Sequence, residues 1–223
     1  MAMAPATQID QLKQFPICQV SDALGPTCLV ETALNLLDSK FHICGRAFTV
    51  KCAPNDNLTL HHALHLAEPG DVLVVESGIG CSSALWGELM SISATTRRLA
   101  GTVIDGAARD RVKIQQLGYP VFARRFAVRK TRKEQYGAIQ CSVRCGQLTV
   151  NPGDILLGDA DGILAISPEK LQDTLALTIE LARKEDKIEI QIESGKSIFE
   201  ILGLSRNVPK ENALSQSNST DKP

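Results

Sequence analysis

Two apolar segments with a helical pattern between them form the first recognisable unit of the chain. Residues 45–52 (GRAFTVKC) and 71–76 (DVLVVE) are short, apolar and bounded by turn-forming residues, so each predicts a strand. The helical pattern between them begins after Asn57, a residue type that often caps a helix N-terminus. This arrangement predicts a βαβ unit.

A second unit of the same kind follows. Its pattern predicts a helix, a strand, a helix and a strand over residues 82–98, 102–105, 110–117 and 121–124. Short apolar segments separated by Gly and Asn-Pro-Gly turns come next. They predict hairpin-built strands around residues 139–143, 147–150, 155–157 and 163–166.

A long helical pattern begins near Pro168, whose ring suits a first helical turn, and runs to about residue 193. A short helix is expected over residues 196–202. The sequence has no internal repeat and no central linker, and the stretch from Pro209 has almost no apolar residues. We therefore expect one α/β domain with a mixed sheet over residues 1–208, followed by a disordered tail over 209–223.

Composition excludes several classes of protein. The 223 residues are 43% hydrophobic and 22% charged, which is typical of a globular chain with a substantial core. With 24 basic and 25 acidic residues the net charge is −1, so no whole-molecule field attracts nucleic acid or anionic lipid. No apolar run is long enough to span a bilayer and no signal-peptide pattern is present, so we expect a soluble, cytoplasmic protein.

Cysteine and histidine spacing does not favour a zinc site. The seven cysteines form no CxxC pair, so we expect reduced thiols that serve as small core residues. His61 and His65 have the i, i+4 spacing of a zinc pair, but His62 stands where a glutamate would be needed and no third ligand is evident. A partly buried helix face is the expected outcome.

The segment WGELMSISATTRRLAGTVIDGAARD, residues 86–110, carries the most informative pattern. A helix of about 12 residues from Glu88 would travel roughly 18 Å. A strand of about five residues after Gly101 would return roughly 16 Å. Glu88, Arg109 and Asp110 should therefore meet at a rim that joins a strand's carboxyl end to a helix N-terminus, where α/β proteins bind anions such as carboxylates. Spacing alone leaves open a solvated Arg109–Asp110 ion pair or a helix cap.

Ordered motifs along the chain resemble one known family. GELM (87–90), the 20-residue gap from Glu88 to Arg109, AGTVIDG (100–106), RD (109–110) and LGYPVFA (117–123) are similar to the family that contains 4-hydroxy-4-methyl-2-oxoglutarate aldolases and the regulator of ribonuclease activity A. Three further motifs agree in order: VSDAL (20–24), PGDVLVV (69–75) and NPGDILLGDADG (151–162). The resemblance covers about residues 20–204.

This resemblance implies a fold, an assembly and an activity. The fold is a β/β/α sandwich with a core like that of swivelling phosphohistidine domains, assembled as trimers or hexamers with sites between subunits. The activity is that of a class II, divalent-metal-dependent pyruvate aldolase. Such enzymes cleave 4-hydroxy-4-methyl-2-oxoglutarate or 4-carboxy-4-hydroxy-2-oxoadipate to pyruvate, and commonly decarboxylate oxaloacetate, through a metal-stabilised pyruvate enolate.

The same resemblance implies roles for individual residues. Asp110 would ligate Mg²⁺ or Mn²⁺ directly, and Glu88 would hold metal-bound waters. Arg109 would bind the 2-oxo acid, and the backbone N–H groups of Leu89 and Met90 would take its carboxylate. The implied substrate-binding residues are Gly87, Leu89, Met90 and Arg109.

A further acid is expected from the long C-terminal helix of a neighbouring subunit. The family's Lys-Glu pair matches residues 184–185, and Glu185 ends a mostly apolar stripe at residues 171, 175, 178 and 182. We nominate Glu185 as a metal-water ligand contributed in trans. A solvated glutamate near Arg183 or Lys187 is the alternative.

Two acidic residues elsewhere are expected to have structural roles. Asp105 ends the returning strand, where a hydrogen bond to the turn is favoured over contact with the site. Ser21 and Asp22 open a predicted helix, where we expect an N-cap.

The chain departs from the family pattern at Lys113. The family typically has an acid three residues after the RD aspartate, so Lys113 reverses the charge that would support Arg109 and favours a changed substrate or a weaker decarboxylase. Six basic residues also cluster between residues 124 and 133. A solvated face or a loop at the rim of the site is favoured over a nucleic-acid surface.

These observations predict a metal-dependent 2-oxo acid lyase acting on a small molecule. The alternative is a non-catalytic regulator that binds an RNA-degrading endonuclease. Retention of Glu88, Arg109 and Asp110 favours the enzyme, since binding a protein partner would not require this triad.

Overall fold

A computed structural model describes residues 6–26, 30–78 and 80–208. The chain divides into two compact units, one ending at Thr178 and the other beginning at Ile179. Cys28 and the predicted tail from Pro209 lie outside the described residues, so the boundary at residue 208 stays a prediction.

The helices alternate with strands as far as residue 126. The α-helices are α1 (Ala6–Leu12), α2 (Ile17–Leu24), α3 (Leu58–Leu66), α4 (Glu88–Thr96), α5 (Arg111–Leu117), α6 (Leu171–Glu193) and α7 (Ile198–Ile201). Single 3-10 turns cover Pro168–Lys170 and Leu204–Asn207. In the described part of the chain no helix is both long enough and apolar enough to cross a membrane.

Twelve strands are formed by the described residues. They are β1 (Val30–Glu31), β2 (Asn35–Leu36), β3 (Ile43–Lys51), β4 (Asp71–Glu76), β5 (Ala84–Trp86), β6 (Gly101–Ala108), β7 (Val121–Phe126), β8 (Ala138–Ile139), β9 (Val143–Cys145), β10 (Leu148–Val150), β11 (Ile155–Asp159) and β12 (Gly162–Ile166).

Ten of these strands form one mixed sheet. The order is β1-β12-β11-β3-β4-β6-β7-β2, with β5 paired to β6 and β8 paired to β3. The neighbours β3, β4, β6 and β7 run parallel, as does β5 beside β6, and the other pairs are antiparallel. The predicted α/β class with a mixed sheet is confirmed.

Each face of the sheet has its own apolar layer. Strand β4 alternates: Leu73 and Val75 pack toward helices α3, α4 and α5, whereas Val72 and Val74 pack with the β9–β10 hairpin. Because the central strands are covered on both faces, they are apolar nearly throughout, as parallel strands usually are. Hairpin, sheet and helices thus form the expected β/β/α layers.

The predicted helix over residues 82–98 is wrong in its first half. Residues Ala84–Trp86 are extended and fully buried, and they pair with the end of β6. The helix begins only at Glu88, after an extended Gly87. A local pattern could not show this, because the pairing partner of β5 lies more than twenty residues away.

The predicted cap at Ser21 and Asp22 is wrong, whereas Asn57 has the predicted N-cap position but lacks the side-chain hydrogen bond. Ser21 and Asp22 lie inside α2, whose first N–H, from Ile17, donates to Asp159 at 2.9 Å. Asn57 precedes α3 but makes no side-chain cap, because its Nδ2 donates to the Leu85 carbonyl at 2.9 Å. The start of each helix makes a hydrogen bond with a residue distant in the chain, which sequence spacing does not reveal.

The described cysteines are free thiols, as expected. Cys44, Cys52 and Cys145 are buried, and burial raises the pKa of Cys44 and of Cys52 to about 12. These thiols are therefore neutral core residues at physiological pH.

Asp105 has the structural role expected of it. One carboxylate oxygen accepts from the Arg124 guanidinium and the other accepts the Gly146 N–H at 2.8 Å. Gly146 lies in the turn between β9 and β10, so Asp105 attaches the hairpin layer to the sheet.

We predict that Asp105→Ala destabilises the protein by about 2 kcal/mol, because it strands a guanidinium and a backbone donor at once. Urea unfolding would measure this loss. Asp186→Ala, at an exposed helix position, is the control and should change stability by less than about 0.5 kcal/mol. Equal stabilities of the two variants would contradict the assigned role.

Candidate active site

The corner between β5 and α4 is held rigidly against the end of β6. The backbone N–H of Arg109 donates to the Trp86 carbonyl at 3.0 Å. The buried Trp86 indole in turn donates to Ser91 Oγ at 2.7 Å, which fixes α4 to the strand that precedes it. The residues that follow β6 therefore lie beside the first turn of α4.

Asp110 spans this corner. Its Oδ2 accepts the Glu88 N–H, the first amide of α4, at 3.1 Å. Its backbone is left-handed, with φ of 60°, a conformation that aspartate tolerates better than most residues. Such strained positions are common at functional sites.

Gly87 makes this approach possible. A Cβ built on Gly87 would lie 2.6 Å from Asp110 Oδ2 and 3.2 Å from Arg109 Cγ. With φ of −163° the backbone itself would suit any residue. Glycine is therefore needed here for space beside the carboxylate.

Arg109 and Asp110 remain accessible from solvent. Arg109 Nε lies 3.5 Å from Asp110 Oδ2, and their side chains are 40% and 37% exposed. An ion pair this exposed adds little stability. The partly exposed guanidinium and carboxylate are thus available to a ligand.

The first turn of α4 offers two unused backbone donors. Within the described residues, the N–H groups of Leu89 and Met90 have no acceptor, while the Ser91 N–H already donates to the Gly87 carbonyl. Free amides at a helix N-terminus, together with the helix dipole, favour a bound anion. Glu88, Arg109 and Asp110, as the spacing predicts, lie together at this rim.

One cavity of about 320 Å³ is lined by Gly87, Glu88, Leu89, Met90, Arg109 and Asp110. Its lining also includes residues that sequence analysis did not assign to the site: Asn57, His61, Lys130, Thr131 and Lys133. The cluster of basic residues could have indicated this wall. Sequence analysis favoured either a solvated face or a loop at the rim of the site for that cluster. His61 was expected only on a helix face.

Backbone hydrogen bonds attach the basic segment to the site. Ala84 N–H donates to the Arg129 carbonyl at 2.9 Å. On the other side, the Arg132 N–H donates to the Asn55 carbonyl at 2.9 Å, and the Arg132 carbonyl accepts the Asn57 N–H at 3.1 Å. The segment therefore forms a fixed wall of the cavity.

The wall formed by the basic segment adds positive charge to the cavity. Lys130 and Lys133 face a cavity that also contains Glu88 and Asp110. Burial lowers the pKa of His61, and the nearby Lys133 lowers it further, so His61 is neutral at physiological pH. With Arg109, the cavity carries three cationic side chains and two carboxylates.

The donor set suits a hydrated divalent cation. Glu88 and Asp110 supply hard carboxylate oxygens to a cavity with room for several waters, and Mg²⁺ typically takes one or two carboxylates and keeps several waters. Among the described residues no group of three or more His, Cys, Asp or Glu side chains could hold a metal.

Two other predicted residues are not among those that line this cavity. Glu185 lies on the part of α6 that belongs to the second unit, so its role in trans stays a prediction. Lys113 is exposed on α5 and forms no ion pair with any described residue. Among the described residues, Asp110 is the one carboxylate that pairs with Arg109.

Comparison with known proteins identifies the class. A family model described as Aldolase/RraA matches residues 17–165. The chain therefore belongs to the RraA-like family.

Individual relatives agree with this placement. A Halalkalibacterium halodurans protein, named provisionally as a 4-hydroxy-4-methyl-2-oxoglutarate aldolase, is 33% identical over 175 residues, which cover 78% of this chain and 83% of that protein. Methanocaldococcus jannaschii MJ0644, of uncharacterized function, is 33% identical over 194 residues, covering 86% and 92%. Streptomyces coelicolor RraAS2, described as an unusual member of the RNase ES inhibitor RraA family, superposes with a TM-score of 0.74 at 22% identity, covering 83% and 97%.

Asp56 fixes the end of the basic segment that forms one wall of the cavity. It is buried, and its oxygens accept the N–H groups of Leu58 at 2.9 Å, Glu134 at 2.8 Å and Gln135 at 3.1 Å. Burial raises the pKa of Asp56, but these hydrogen bonds lower it more, so the pKa lies below its ordinary value.

We predict that Asp56→Asn costs about 1–3 kcal/mol of stability at pH 7, because an amide oxygen replaces a charged acceptor of three N–H groups. Because the pKa of Asp56 is lowered by folding, its carboxylate stabilises the folded state at pH values above the unfolded-state pKa of about 3.9. This stabilisation is lost as the pH falls below that pKa. The difference between wild type and variant in urea unfolding should therefore shrink below about pH 4. Asp38→Asn, which alters one exposed turn contact, is the control. A pH-independent difference would contradict this account.

Proposed function

We propose that the protein is a divalent-metal-dependent 2-oxo acid lyase that releases pyruvate by retro-aldol cleavage or by decarboxylation of oxaloacetate. One observation carries the proposal. Glu88, Arg109, Asp110 and two unused α4 amides face one cavity of about 320 Å³. A partner-binding surface would require neither this polar convergence nor a concave site.

The α4 amides bind and orient the substrate. The N–H groups of Leu89 and Met90 receive the carboxylate of the 2-oxo acid, and the helix dipole adds to their attraction. The adjacent C2 oxygen then faces Arg109. Because the bound 2-oxo acid is already oriented, the bond that breaks is aligned and the reaction step costs no further translational or rotational entropy.

Arg109 stabilises the charge that develops during the reaction. Both cleavage and decarboxylation leave an electron pair on the pyruvate fragment, which is delocalised onto the C2 oxygen. A guanidinium already in position beside that oxygen favours the transition state over the ground state. The Nε contact with Asp110 holds this guanidinium at the rim.

Glu88 and Asp110 are the groups that would hold Mg²⁺ or Mn²⁺, with Glu88 acting through water. When bound, the ion supplies Lewis-acid polarisation of the 2-oxo group. We also propose that Glu185 of a neighbouring subunit completes this arrangement in a trimer or hexamer.

The two lysines of the basic wall favour a substrate with a second carboxylate. Lys130 and Lys133 line the same cavity as Glu88 and Asp110. Their charges would attract the distal carboxylate of oxaloacetate or of 4-hydroxy-4-methyl-2-oxoglutarate. A dicarboxylic 2-oxo acid therefore suits this cavity better than a monocarboxylic one.

We predict pyruvate release from oxaloacetate or 4-hydroxy-4-methyl-2-oxoglutarate that requires Mg²⁺ or Mn²⁺ and stops with EDTA, measured with a coupled lactate dehydrogenase assay. Asp110→Asn should lower the rate by at least about 10²-fold, because the amide loses the charge that attracts the cation. Its metal requirement should rise in parallel.

Arg109→Lys serves as the matched variant in the same assay. It keeps the charge but loses the planar guanidinium, so it should lower kcat while the concentration of metal needed for half-maximal activity stays unchanged. Absence of metal-dependent release from both substrates would contradict the proposal and favour a ribonuclease-binding role. Wild-type rates in Asp110→Asn would reject the assigned metal site.

A further inference from the structure

A second cavity, of about 620 Å³, lies at the opposite end of the sheet from the candidate active site. It is bounded by the residues that precede β4, β6 and β7 and by the start of β3, so it collects the amino ends of the parallel strands. Helix α1 and the residue after it form the remaining side, through Ile9, Asp10 and Lys13. It shares no lining residue with the cavity at the carboxyl ends.

Basic side chains dominate the polar lining of this cavity. Lys13, Arg46 and Arg98 line it, against Asp10 as the carboxylate in the lining. Arg46 is already compensated, since Asp71 lies 3.5 Å and Glu68 3.6 Å from its guanidinium. Lys13 and Arg98 form no ion pair with any residue that the structure describes.

Apolar groups form much of the rest of the lining. They are Ile9, Cys44, Pro69, Leu99, Ala100 and Pro120. Cys44 and Leu99 are buried, and the Cys44 thiol donates to the Ile9 carbonyl at 3.6 Å. The cavity thus combines unpaired positive charge with apolar surface and has the size of a small-molecule site.

Arg98 occupies a position where the fold itself would favour glycine. It follows α4 with φ of 59°, its N–H donates to Thr95 at 2.9 Å, and the Leu99 N–H donates to Ala94 at 3.0 Å. These two bonds are those of a Schellman cap, whose left-handed residue is usually glycine because a Cβ is disfavoured there. A long cationic side chain at this point therefore adds nothing to the cap, yet it lines the cavity.

We propose that this cavity is a binding site for a small organic anion, separate from the lyase site. The anionic group, a carboxylate or a phosphate, pairs with Arg98 and Lys13, and the apolar part of the ligand lies against Cys44, Leu99 and Ala100. His42, the residue before β3, lines the same cavity and supplies a further polar contact.

The test uses phenyl phosphate, which joins a phosphate to a flat apolar ring, titrated into the full-length protein and followed by ligand-observed NMR. Wild type should bind it at millimolar concentration or better, and phenol or inorganic phosphate alone should bind more weakly. Arg98→Gly should reduce the affinity about tenfold or more, the usual effect of losing a charge-assisted hydrogen bond. Because glycine suits the cap, this variant should keep the melting temperature within about 3 °C of wild type.

Two matched variants assign the binding to this cavity. Arg109→Ala removes a cation from the candidate active site and should leave phenyl phosphate affinity unchanged, as should Arg144→Gln at an exposed position on β9. Metal-dependent pyruvate release by Arg98→Gly should equal that of wild type, so failure of this proposal is distinguishable from failure of the lyase proposal. No binding to wild type, unchanged affinity in Arg98→Gly, or a loss in Arg109→Ala would each overturn the proposed site.

Discussion

The hydrogen bond from the first amide of α4 to Asp110 is the contact on which the site depends. It joins two segments that are 22 residues apart along the chain, and it places a carboxylate beside a helix N-terminus. The contact exists because Gly87 has no side chain and because Asp110 adopts a left-handed backbone. The Arg109 guanidinium and the free α4 amides can then face the same small ligand.

The parallel strands give the two ends of the sheet different chemistry. At the carboxyl ends, the start of α4 presents free N–H groups, and two carboxylates lie beside it. At the amino ends, the chain leaves α4 through a left-handed arginine and enters β6, which leaves a basic cavity with apolar walls. A single helix therefore contributes to both sites, with its first turn at one and its last residues at the other.

Much of this arrangement could be predicted from sequence because it depends on local periodicity and on simple chain geometry. The predicted return of the chain to the start of the helix is found, although α4 has nine residues instead of about 12 and β6 has eight instead of about five. The β/β/α layers were implied by the family resemblance that the ordered motifs carry. The metal and substrate roles of these residues stay predictions.

What sequence could not supply were contacts set by tertiary pairing. Strand β5 is extended because it pairs with β6, although its residues continue a helical pattern. The Asn57 side chain donates to the Leu85 carbonyl and makes no cap hydrogen bond to α3. Residues 129–132 become a wall of the cavity through backbone hydrogen bonds to Ala84, Asn55 and Asn57. A run of basic residues looks the same in sequence whether it is solvated or attached to a site.

The most direct test of the central contact is the affinity of Gly87→Ala for Mn²⁺, measured by electron paramagnetic resonance. The added methyl group would displace the Asp110 carboxylate from the α4 amide while leaving an extended backbone that alanine tolerates. The account predicts a folded protein, with unchanged circular dichroism, whose Mn²⁺ affinity falls at least about tenfold. Wild-type affinity in that variant would show that the cation does not depend on this corner, and would contradict the account.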